Sequence, residues 1–192
     1  PGCAPDARHP FNPAFLEFHR PFSVLRTSQI METNGLAYGC DAGTLPGHAS
    51  CRRSWALRPQ VYEANQAGNR GVAIEHLIAL VNELDCDLWL NVPHGADGGY
   101  LYGLGQLLAA NLERERTVFF ELSSEAWNFS GEFPQFDHYI SAGILAAQDL
   151  SGSPGTGLAM QGVNDLDTGR RFFAHQWAEA CHELELALDP VG

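Results

Sequence analysis

Between Gly71 and Leu122 the chain alternates twice between a helical rhythm and a short apolar run, and no other feature constrains its fold as tightly. "GVAIEHLIALVNEL" puts apolar residues at 74, 77, 78, 81 and 84, the i, i+3, i+4, i+7 spacing of one helix face. "CDLWLNV" follows as a buried strand, "YLYGLGQLLAANL" as a helix weakened by Gly103 and Gly105, and "TVFFEL" as a further strand. Upstream, "FNPAFLEFH" reads as a short helix with proline at its start, and "FSVLRTSQI" as a strand rich in β-formers. Downstream, "FDHYISAGILAAQDL" and "RRFFAHQWAEACHELELAL" read as helices on either side of a "SGSPGTG" loop. Residues Glu32 to Arg70 form a long irregular segment rich in Gly, Pro, Asn and Ser, of the kind that in a compact domain is usually functional or disordered.

Alternating β and α units imply an α/β fold with parallel strands and right-handed crossovers. The later strands are near-continuous apolar runs, as expected where both sheet faces are covered. Three architectures fit: an open doubly wound sheet, part of a (β/α)8 barrel, and a self-contained three- or four-stranded domain. Residues 1–192 read as a single domain in each case. No G-x-G-x-x-G follows a strand and no Walker lysine loop is present, so no nucleotide cofactor is expected.

Net charge is −12, from 11 basic and 23 acidic residues. A nucleic-acid partner needs a basic face, so this balance argues against one and suits a neutral substrate. No apolar run reaches the roughly eighteen residues of a membrane helix. None of the five cysteines sits in a C-x-x-C spacing; Cys86 and Cys181 read as buried free thiols. Cys40 and Cys51 bracket a Gly-rich loop, and a disulfide between them would imply an oxidising compartment. The chain begins at Pro1, not Met, so the lack of a signal peptide does not bear against secretion, and an extracellular location is the expectation.

Ligands of parallel α/β sheets sit at the carboxyl ends of the strands. The first strand ends in Arg26, Gln29, Glu32 and Asn34, the second in Asn91, Pro93, His94 and Asp97, and the third in Glu121, Ser124, Glu125, Trp127 and Asn128. Three polar ends in succession point to a site. Glu125 is the sharpest of these residues. A carboxylic acid beside an indole is partly desolvated, an environment that suits a general acid, and tryptophan offers a flat apolar face to a sugar ring. The alternative is that Glu125 serves the first turn of the following helix. "NVPHGAD" can present His94 and Asp97 to a metal, or Asp97 can be the N-cap of the helix from Gly98 and His94 a hydrogen bonder at the pocket wall. No metal is the expectation. Trp55 and Arg58, in "SWALR", can close over a ligand, or Trp55 can pin the loop while Arg58 pairs with an acid. Ser123 and Ser124 lack the G-x-S-x-G elbow of a serine hydrolase, and "NFS" at Asn128 matches a glycosylation sequon by accident of its place beside the site.

"LRTSQIMETN", "SWALR", the stretch from Gly71 to Leu112 and "VFFELSSEAWN" occur in one order. Together they resemble a family of glycoside-hydrolase-like (β/α)8 barrel proteins that includes cellulose-binding proteins and glycosidases. The resemblance runs from about Phe11 to Tyr139 and more weakly to the end. In the wider clan of retaining barrel glycosidases an Asn-Glu pair ends the fourth strand, and its Glu is the general acid/base. "SSEAWN" falls on that motif, so the resemblance implies that role for Glu125, with Ser124 where the clan has Asn. It further implies a β-linked polysaccharide or oligosaccharide as ligand. Asn91, His94 and Trp127 would line the subsite nearest the cleavage point, with Ser124, Asn128 and Arg26 beside it and Trp55 and Arg58 toward outer sugars.

A full barrel takes about 250 residues. If "SSEAWN" ends the fourth strand, the first strand here is the barrel's second, and about half a barrel is present. The clan's nucleophile, a Glu ending the seventh strand, then lies outside these residues, and Glu121 is an unlikely substitute because side chains alternate along a strand. A half-barrel leaves strand edges open to self-association. Three functions follow as expectations: a glycoside-hydrolase-like protein, a non-catalytic carbohydrate-binding or degenerate barrel, and a metal-dependent hydrolase using His94, Asp97 and Glu125.

Overall fold

The computed structural model of the chain describes residues 11–33, 53–66, 68, 70–128, 134–149 and 165–188. Cys3, Cys40, Cys51, the "SGSPGTG" stretch and the end of the "NFS" triplet lie outside these residues. The elements run α1 (Pro13–His19), β1 (Val24–Arg26), a short 3-10 turn (Trp55–Leu57), α2 (Ile74–Leu84), β2 (Asp87–Val92), α3 (Gly98–Asn111), β3 (Val118–Leu122), α4 (Pro134–Asp149) and α5 (Asp165–Leu188). The three strands pair in parallel in the order β1-β2-β3. The protein is therefore a mixed α/β fold with a parallel sheet. The described strands form an open sheet and do not close into a barrel.

Local chemistry fixes the element ends. Asn12 caps α1, its Oδ1 accepting from the Ala14 N–H at 2.9 Å, and Pro13 fills the first helical position. Asp85 ends α2 in the left-handed region, and the Cys86 N–H reaches back to the Val81 carbonyl. The Asp97 carboxylate accepts from the Tyr100 N–H at 2.8 Å and starts α3. β1 is shorter than the β-formers of "FSVLRTSQI" predict. Past Arg26 the chain turns: the Met31 N–H bonds the Thr27 carbonyl, the Thr33 N–H bonds the Ser28 carbonyl, and Glu32 takes φ 54°. α5 begins five residues before the predicted helix, with Asp165 and Asp167 in a first turn that favours acids.

Register puts Leu25, Leu88 and Val118 in one row and Arg26, Trp89 and Phe119 in the next. The first row's face, with Leu90, Val92 and Leu122, joins Leu77, Ile78 and Val81 of α2 and Leu101, Leu104 and Leu108 of α3 in one core. Ala180 and Leu184 bring α5 into that core. Gly103 and Gly105 admit close neighbours: a Cβ on Gly103 would lie 2.5 Å from the Trp55 ring, and one on Gly105 would lie 2.4 Å from the Ala187 Cβ. The opposite face differs from the sequence expectation that both faces are covered, since Val24, Trp89 and Phe119 are exposed there. Cys86 is a buried free thiol as read, whereas Cys181 is only half-buried.

Candidate functional site at the end of β3

Parallel strands end together, so the loops after β2 and β3 meet. The Ser123 N–H donates to the Val92 carbonyl at 2.6 Å, and the Asn91 side-chain amide donates to the Ser123 carbonyl at 2.8 Å. Gln135 of α4 donates to the Ser124 carbonyl at 2.6 Å, and the Ser124 hydroxyl lies 3.4 Å from that of Ser28. Held this way, the loop carries two non-glycine residues in the left-handed region, Ser123 at φ 64° and Glu125 at φ 48°. Such backbone costs about 1–3 kcal/mol per residue and gathers at functional sites. Its effect here is to turn the chain so that Glu125 projects off the strand axis. The Asn128 amide donates to Glu125 Oε2 at 3.0 Å, and the Asn128 N–H to the Glu125 carbonyl at 2.8 Å, which fixes the carboxylate.

Glu125 borders a hollow of about 390 Å³. Its wall includes Trp127, Tyr139 of α4, and Arg170, Phe173 and Trp177 of α5. Three consecutive β3 residues, Phe120, Glu121 and Leu122, also line it. Successive strand side chains point to opposite faces, so a hollow touching three in a row lies along the strand's outer edge, the one not paired to β2. Trp127 stands at the mouth, 72% exposed. Burial pushes the Tyr139 phenol well up, only partly opposed by the neighbouring Ser123 hydroxyl, and its oxygen is buried on that side, away from solvent.

The other predicted residues do not share this wall. Asn91, His94 and Ser124 are fully buried and stand behind it. Side chains that end a strand between two packed loops are covered by those loops, which is why polar strand ends here became interior hydrogen-bonding groups. His94 packs against His138 at 5.0 Å between ring centroids and against Tyr139 at 6.4 Å. Burial lowers its basicity well below the usual histidine value, and the nearby His138 and Arg53 charges add to this. Trp55 and Arg58 form a clasp: the guanidinium sits 4.2 Å over the indole and pairs with Glu75 of α2. Trp55 meets Tyr100 edge-on at 5.5 Å. Tyr100 is pushed up to about 12 by burial. Arg26 lies on the exposed sheet face, bonded to Glu121 at 2.9 Å. Asp97 is engaged as a helix cap, and among the described residues no three metal-ligating side chains converge.

Sequence reasoning did not foresee the α5 wall. Its signal was present: Leu166, Arg170, Phe173 and Trp177 recur at the spacing of one helix face. The sequence reading places a helix from Arg170 onward and assigns none of its faces. The site thus combines two fixed carboxylates, Glu121 and Glu125, with two indoles, the Tyr139 ring and a guanidinium around an apolar floor. It can hold a ring-shaped ligand with hydroxyls and offer it an acid. Among known proteins, no family, no curated protein and no solved structure matches the chain at a significant level.

Proposed function

We propose that the protein is glycoside-hydrolase-like and takes a β-linked oligosaccharide or polysaccharide into the hollow beside β3, with Glu125 as the acid that serves the glycosidic oxygen. One observation carries this reading: Glu125 and Trp127 line the same hollow at the carboxyl end of a parallel strand, as the "SSEAWN" resemblance implies. In this reading Trp127 and Trp177 stack on sugar rings, and the sheet is part of a (β/α)8 barrel. Hydrolysis with retention takes a second carboxyl about 5 Å from the first. Glu121, the other acid lining the hollow, is engaged by Arg26 and by the Trp89 N–H.

That engagement favours a second reading, in which the chain binds saccharide without cleaving it. Glu125→Gln separates the two. It abolishes any hydrolysis of β-linked oligosaccharides if Glu125 transfers a proton, and it leaves affinity within a few-fold if Glu125 only hydrogen-bonds. If neither wild type nor variant binds any β-linked saccharide, by calorimetry or by pull-down on insoluble polysaccharide, both readings fall.

A further inference from the structure

We propose that the saccharide taken by the hollow is an amino sugar, and that Glu125 pairs with its protonated amine. This rests on the carbohydrate reading above, in its binding form, and narrows the substrate class from a neutral sugar to a cationic one.

The charges around the hollow carry the inference. Three charged side chains line it: Glu121, Glu125 and Arg170. Two of them are answered within the protein. Both Glu121 oxygens accept from the Arg26 guanidinium, at 2.9 and 3.0 Å, and one also accepts from the Trp89 N–H at 2.8 Å. Arg170 lies 3.3 Å from the Asp167 carboxylate, one helical turn earlier in α5. Glu125 differs from both. Among the described residues no cation reaches it, and its side chain accepts only from the neutral Asn128 amide, at Oε2. Oε1 is left for a ligand. A half-buried carboxylate without a counter-charge has given up water for nothing in return, and a bound cation offsets that cost.

The walls select the kind of cation. Trp127, Trp177, Phe173 and Phe120 surround the hollow with aromatic rings. The negative face of such a ring attracts an organic ammonium within about 6 Å of its centre, and the same rings pack against the apolar CH face of a pyranose. An amino sugar presents both features at once. An inorganic ion is poorly served: a hard cation takes about six or more oxygen ligands, and among the described residues no three metal-ligating side chains converge. The net charge of −12 acts in the same direction, since it draws a cationic glycan toward the chain and repels an acidic one. An ammonium held by Glu125 occupies the carboxylate that hydrolysis needs as an acid, which is why the inference goes with binding and not with cleavage.

The test is calorimetric titration of the whole chain with β-1,4-linked tetramers of glucosamine, N-acetylglucosamine and glucose. The buffer is low in salt, at a pH where the free amine is protonated and the protein is folded. The glucosamine tetramer should bind on the order of tenfold more tightly than either neutral one. That ratio should narrow as salt is raised, because exposed charges are screened. It should fall toward one in Glu125→Gln, which keeps the side-chain shape and removes the charge. A glucosamine tetramer that binds no better than the neutral two overturns the amine and leaves the carbohydrate reading standing. No binding of any tetramer overturns both. A preference kept in Glu125→Gln overturns the pairing with Glu125. If that variant does not fold, a wild-type preference that salt fails to narrow overturns it instead. Propylammonium bound as tightly as the glucosamine tetramer takes the amine away from a sugar and overturns the proposal as well.

Discussion

The Trp55 indole rests directly on the backbone of Gly103, where a Cβ would come within 2.5 Å of the ring. A glycine that looks like a defect in α3 is the seat of the clasp that ties the irregular segment to the helix. Alanine at this position gains up to about 1 kcal/mol in helix propensity. It must also displace an indole packed on Tyr100 and covered by Arg58. Overpacking of this kind costs about 1–3 kcal/mol. Gly103→Ala should therefore lower stability by about 1–2 kcal/mol, read as a drop in the urea midpoint with the slope unchanged. A raised midpoint would show that Trp55 moves aside freely.

The same clasp makes a second prediction. Arg58 is almost wholly buried, and its ion partner Glu75 is about a quarter exposed on its side chain. Removing one member of such a pair leaves a charge without compensation. Glu75→Gln should cost about 2–3 kcal/mol in urea unfolding, discounted from the fully buried case because Glu75 keeps some water. Saccharide affinity should not change, because neither residue borders the hollow. Loss of affinity without loss of stability would return Arg58 to the ligand site.

How far the sequence predicted these arrangements depends on how local each cause is. α2, β2, α3 and β3 follow from apolar periodicity and from caps such as Asp97, which act within a few residues. The Gly-containing α3 survives because Trp55 and Ala187, distant in sequence, fill the space beside Gly103 and Gly105. No local rule states that. β1 was overestimated because β-propensity extends through Thr27 to Ile30, whereas the chain turns there on backbone bonds to Thr27 and Ser28. At the site, the convergence of strand ends was legible, but which polar groups face outward was not. Asn91, His94 and Ser124 were drawn into the interior by loops from two other elements, while Arg170 and Trp177 reached the hollow from a helix far along the chain. Composition could not distinguish a buried histidine from one that meets a ligand.

His94 gives the protein a definite response to acid. Its folded-state basicity is lowered, chiefly by burial and further by His138 and Arg53, while in the unfolded chain it titrates near the ordinary value of 6.5. Below that value the unfolded state binds the extra proton. The contribution of neutral His94 is thus complete above about pH 6.5 and is lost as pH falls below it. The slope approaches 1.4 kcal/mol per pH unit for each such group. His94→Gln should flatten the fall in unfolding free energy between pH 7.5 and pH 5 by about 1–2 kcal/mol. An unchanged pH profile in the variant would mean that His94 accepts its proton in the folded state without penalty.

The left-handed backbone at Glu125 predicts a conflict between stability and function at one position. A non-glycine residue at φ 48° is strained, and the bonds from Gln135 to the Ser124 carbonyl and from the Asn128 N–H to the Glu125 carbonyl keep it there. Glycine adopts this conformation without the Cβ penalty. Glu125→Gly gives up the Asn128 hydrogen bond, which is worth about 0.5–1.5 kcal/mol, and a loop ordered at a glycine loses more chain entropy on folding. The strain relieved is about 1–3 kcal/mol. The net expectation is a stability equal to wild type or up to about 1 kcal/mol higher, together with loss of any acid-dependent hydrolysis and weakened saccharide binding. Glu125→Gln supplies the control, because it keeps the strain and the side-chain length and should match wild type in unfolding. If Glu125→Gly unfolds more readily than Glu125→Gln by more than about 1 kcal/mol, the carboxylate is holding the loop together, and its orientation toward the hollow is then a consequence of folding and not a feature kept at folding's expense.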